Sequence, residues 1–120
     1  MAHTTMHFAI GLAVGTAVFL PSVARAAQNR KKLAPAFARW LVRSWALALF
    51  AIIPNFLRAL GLPNTFCTGW WMNIFFLHPL ADRFKTGGMV VGEVGIAACL
   101  ALQYGLLLVA LRRVQTGKQG

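Results

Sequence analysis

The sequence predicts an all-α integral membrane protein, with three transmembrane helices plus a short interfacial or re-entrant helix on the outer face. Three observations carry that expectation. Hydrophobic residues make up 58% of the 120 and charged residues 12%, which leaves too little polar surface to coat one water-soluble domain. Apolar runs able to cross a hydrocarbon core of ~30 Å occur at 6–24, 40–60 and 90–111. Twelve Lys and Arg face only Asp82 and Glu93, and most of the basic residues flank the apolar runs. In a soluble protein a net charge of +10 would point to nucleic acid. Flanking placement points instead to cytoplasmic anchoring, so the expected partner is the lipid bilayer and not nucleic acid. Residues 1–120 are read as a single membrane domain.

Span one, MHFAIGLAVGTAVFLPSVA at 6–24, is apolar apart from His7 and small hydroxyl residues. SVARAA at 22–27 has the small-residue spacing of a signal cleavage site. MAHTTMH, however, lacks the basic start of a signal peptide, so the run is read as a retained span. RAAQNRKKLAPAFAR at 25–39 is basic, contains no acid and carries Pro35, which predicts a cytoplasmic loop.

Span two contains Arg43 and Arg58, which are roughly 22 Å apart along a helix, so each guanidinium snorkels to its nearer interface. Pro54 is expected to kink its outer third. Trp40, Arg43 and Arg58 are then interface anchors, joined by Arg112 and Arg113 at the end of span three. Cys67 and Cys99 have no metal-ligand spacing and are read as free thiols.

The stretch GWWMNIFFLHPLADRF, residues 69–84, has an apolar run too short to cross. Trp70 and Trp71 fit the headgroup layer, so 66–84 is expected to lie along the outer face or dip into it. Topology follows from the basic residues. Arg25, Arg30, Lys31, Lys32, Arg39 and Arg43, together with Arg112, Arg113 and Lys118, outnumber Arg58, Arg83 and Lys85. The N-terminus is therefore expected outside and the C-terminus in the cytoplasm.

This arrangement gathers His3, His7, Asn55, His78, Asp82 and Glu93 towards one leaflet. His7, His78, Asp82 and Glu93 form a candidate metal set for a divalent ion, because a carboxylate within a span must pair, protonate or face a wet cavity. The bland reading makes Glu93 and His78 interfacial polar groups, with Glu93 paired to Arg83 or Lys85. Helix-packing candidates are Gly11 and Gly15, Gly88 and Gly92, and Ala97 and Ala101, whose spacing lets helices approach closely. Packing among the three spans themselves is the simpler use of these residues.

MHFAIG at 6–11 and the turn IPN at 53–55 together resemble the small membrane-bound metal-dependent hydrolases of the bacterial inner membrane. In that family an early His opens the first span, a Pro-Asp-x-Asp turn follows, and a Thr-His segment comes later. The resemblance places His7 at the early histidine and Asn55 at the first aspartate, and it implies a bacterial inner-membrane location. Asn55 and Leu57 stand where the family has acids, and no Thr-His-Ser segment surrounds His78. A non-enzymatic structural or accessory role in a membrane assembly is the leading expectation, with other membrane helices as partners. The alternatives are a metal-dependent hydrolase of lipid-linked substrates and a small transporter with Glu93 as the proton-coupled group.

Overall fold

The computed structural model describes residues 4–28, 30–67, 69–75 and 88–116. Three long helices dominate: α1 (Thr4–Ala26), α2 (Arg30–Ala59) and α4 (Gly88–Thr116). Between the second and the last come the short α3 (Asn64–Cys67) and a 3-10 helix over Trp70–Ile74. Each long helix is apolar and long enough to cross a membrane. At ~1.5 Å per residue even α1, the shortest with 23 residues, reaches about 34 Å.

Helix α1 is the central element, packed along both α2 and α4. The direction of each pairing follows from its closest contacts. Gly11 faces Leu47 and Ala48, Gly15 faces Ser44, and Thr4 meets Asn55, so α1 and α2 run antiparallel. Gly92 faces Thr5 and Met6, Gly95 faces Ala9, and Gln103 meets Thr16, so α1 and α4 run parallel. The start of α1, the end of α2 and the start of α4 therefore share one end of the bundle. The stretch from Arg25 to Arg39 and the last turn of α4 share the other.

The expected loop at 25–39 is corrected by the structure: α1 continues to Ala26 and α2 already begins at Arg30. Proline removes one N–H from the helix ladder, and Pro35 does so only in the second turn of α2. Leu33, Phe37 and Trp40, spaced at i, i+4 and i+7, bury one face of this turn against Val23 of α1. That packing outweighs the missing bond. Helix α2 also continues through Pro54, which is buried, and stops at Ala59. Gly61, at φ 92°, then supplies the left-handed turn that ends it.

Residues 69–75, the described part of the aromatic stretch, fold back on α2. Trp71 Nε1 donates to the Phe66 carbonyl at 3.1 Å, closing a small loop around buried Cys67 and Met72. Phe75 meets Phe50 with ring centroids 4.6 Å apart. Phe50 lies roughly 14 Å back along α2 from Ala59, so the chain up to Phe75 runs back beside the helix.

Candidate functional site at the helix interfaces

A chain of neutral polar groups ties the three long helices together. Thr16, Trp45 and Gln103 each stand near the midpoint of their own helix. Gln103 Nε2 donates to Thr16 Oγ1 at 3.0 Å, while Trp45 Nε1 donates to Gln103 Oε1 at 3.3 Å. One carboxamide thus bridges α1 and α2 from α4. Trp40 Nε1 donates to the Thr16 carbonyl at 3.0 Å, and Ser44 Oγ donates back to the Trp40 carbonyl at 2.8 Å.

In a bilayer no water reaches the middle of a span, so a polar side chain there must find its partners inside the protein. Gln103 has both donor and acceptor used, and Ser44 satisfies itself on its own helix. The node is made of uncharged groups, and its chemistry is positional: it sets the rotation and depth of each helix against the other two.

Glycine permits the node to form. A Cβ on Gly15 would stand 2.6 Å from Ser44 Cα, and one on Gly11 would stand 2.6 Å from the Leu47 carbonyl oxygen. A Cβ on Gly92 would stand 2.6 Å from the Met6 nitrogen. Backbones therefore touch at the start and at the middle of α1, the close approach that small-residue spacing allows. Gly88 opens α4, while Ala97 and Ala101 are exposed.

The residues singled out for metal binding are placed differently from one another. His7 is 1% exposed and lies at i−4 and i−8 from Gly11 and Gly15, on the stripe that packs against α2. Glu93 is exposed on α4. His3, His78 and Asp82 lie outside the described residues, among which no group of three or more His, Cys, Asp or Glu is placed to hold a metal ion. Asn55, which the family resemblance puts at an aspartate position, instead has its Nδ2 3.4 Å from Thr4 Oγ1.

The anchors divide as well. Trp70, Trp71, Arg43, Arg112 and Arg113 are exposed, and Arg58 is half-buried. The Arg43 guanidinium stands 5.4 Å from the Phe19 ring centroid, a cation–π contact. Trp40 is 1% exposed and packs edge-on against Phe37 between α1 and α2.

Sequence reasoning passed over Thr16, Ser44 and Gln103, and a signal for two of them was present. Thr16 and Gln103 are isolated polar residues near the centres of apolar runs, where the cost of leaving one unpaired requires a partner, while Ser44 directly follows Arg43. Gln103→Leu is expected to destabilise the bundle by about 1 kcal/mol, because Trp45 Nε1 and Thr16 Oγ1 both lose their partner. The measurement is the midpoint of SDS-induced unfolding, followed by tryptophan fluorescence. A Gln103→Leu midpoint equal to the wild-type value would remove the node from the account. No family model, no curated protein and no solved structure matches this chain.

Proposed function

We propose that the chain is a small polytopic membrane protein serving as a structural or accessory component of a membrane assembly. The observation that carries this reading is the free face of α4. Ala97, Ala101 and Gly105, at i, i+4 and i+8, are all exposed, and a Cβ on Gly105 would meet nothing within 4 Å. Elsewhere the bundle places Gly11, Gly15 and Gly92 against a neighbouring helix. The ridge on α4 offers the same close approach to a helix from another chain, whether a second copy or a larger partner. Glu93, four residues before Ala97, heads the ridge with an exposed carboxylate that a partner cation would neutralise.

The positive-inside rule supports an N-terminus outside and a C-terminus in the cytoplasm, since the basic stretch Arg25–Arg39 and the end of α4 share one end of the bundle. The bacterial inner membrane is the location implied by the family resemblance. The contact between Phe75 and Phe50 supports a re-entrant course for the aromatic stretch, deeper than a segment lying on the surface.

The test is Ala101→Ile with Gly105→Ile, made on the full chain and examined in mild detergent. The expected result is a complex of lower mass with an unchanged unfolding midpoint, because nothing in the bundle packs on these positions. A wild-type chain that is monomeric and partnerless would overturn the reading. Stoichiometric zinc or manganese lost on His7→Ala would move the assignment to the hydrolase alternative.

A further inference from the structure

Where α1 ends and α2 begins, the two helices enclose an open cavity of about 520 Å³, lined chiefly by Arg25, Lys32 and Arg39 with Ser22 and Gln28 beside them. The same local device sets two of these cations. Pro21 and Arg25, like Pro35 and Arg39, are four positions apart, and in each pair the arginine Nε–H donates to the proline carbonyl, at 3.3 Å and 3.2 Å. Using Nε in this way leaves the terminal nitrogens of each guanidinium to other partners. Those nitrogens carry the forked donors that match phosphate oxygens.

Among the described residues no acid stands near enough to neutralise the cavity. Glu93 is the sole carboxylate among the described residues, and its neighbour Gly92 packs on Thr5 and Met6, at the other end of α1. That is roughly 28 Å along the helix from Arg25. Like charges around one cavity repel each other and draw in an anion. Further along the α1–α2 seam the character changes. Arg43, one turn beyond Arg39, stands over the ring of Phe19, and their chain neighbours Val42 and Val18 present exposed apolar surface. A cationic cavity followed by apolar surface fits a ligand with an anionic head and a hydrocarbon tail; inorganic phosphate fits only the first half.

We propose that this cavity binds the phosphate of an anionic phospholipid headgroup, with Arg25 and Arg39 as the forked donors and Lys32 as the third charge. The inference rests on the membrane reading above. Its test uses the full chain in neutral detergent, equilibrated with dioleoyl phosphatidylglycerol or dioleoyl phosphatidylcholine and examined by native mass spectrometry. The expected result is one phosphatidylglycerol retained per chain, with phosphatidylcholine retained at least tenfold less.

Arg25→Gln with Arg39→Gln lowers that retention about tenfold. Arg112→Gln with Arg113→Gln, at the same end of the bundle but outside the cavity, leaves it unchanged. Lys32→Gln disturbs neither Nε bond, so it reports on the site even where the double variant does not fold, and it lowers retention about threefold. Equal retention of the two lipids, equal loss in the Arg112 and Arg113 variant, or displacement of phosphatidylglycerol by millimolar inorganic phosphate would each overturn the proposal. Alkaline extraction of expressing membranes separates the two levels of failure: a released chain sinks the membrane reading, whereas a retained chain without lipid preference sinks only the headgroup site.

Discussion

Gly15→Leu is expected to cost about 3 kcal/mol and to separate α1 from α2. The first added carbon would stand 2.6 Å from Ser44 Cα and 3.1 Å from the Ser44 carbonyl oxygen, and neither backbone atom can turn aside as a side chain would. The helices must move apart by more than an ångström to admit it. Such a shift carries Thr16 away from Trp40 Nε1 and from Gln103 Nε2, so one substitution also weakens the polar node next to it. Gly105→Leu is the control: it adds the same side chain to a helix where a Cβ meets nothing within 4 Å, and its effect should stay within about 0.5 kcal/mol of neutral. Unfolding by SDS, read by helical circular dichroism, distinguishes the two. A Gly15→Leu protein as stable as wild type would mean that the backbones do not touch.

Trp40→Ala is expected to cost a similar amount, about 3 kcal/mol, by opening a cavity among Val23, Leu33 and Phe37. On the proposed membrane reading the loss comes mainly from missing contacts, because hydrocarbon would solvate the exposed ring well enough in the separated helices. Phe37 packs edge-on against the Trp40 ring at 5.1 Å, and this contact goes too. Trp40→Phe keeps much of the ring and removes the bond to the Thr16 carbonyl, so about 1 kcal/mol is expected. The comparison also decides where Trp40 sits. A tryptophan anchored among headgroups would tolerate alanine with little change in the unfolding midpoint, and that outcome would contradict its burial in the bundle.

The elements differ in how far they could be read in advance. The long helices near 6–24 and 90–111 were legible because an uninterrupted apolar run of that length favours the helix, which satisfies its own backbone. The start of α2 was not legible. RKKLAPAF reads as basic loop with a proline, and only the burial of Leu33 and Phe37 against Val23 makes it helix. Among candidate site residues, the glycine spacings marked positions where helices approach, but spacing could not say which helix each would meet. Gly11 and Gly15 meet α2, Gly92 meets α1, and Ala97 and Ala101 are exposed. Glu93 and His78 stand out in the sequence by their titratable groups, whereas the neutral Gln103 that bridges all three helices does not.

Local composition by itself determined that this protein is built from three long apolar helices and where basic residues flank them. Backbone hydrogen bonding within one helix is a local matter, so a run of residues carries that information alone. Tertiary structure decided which faces meet, that Trp40 is buried, and that Thr16, Trp45 and Gln103 share one set of hydrogen bonds. In hydrocarbon an apolar side chain gains little by choosing a protein neighbour over a lipid one, so helix pairing depends on backbone approach and on polar partners. Those are relations between positions far apart in the chain: Thr16 and Gln103 are separated by 87 residues.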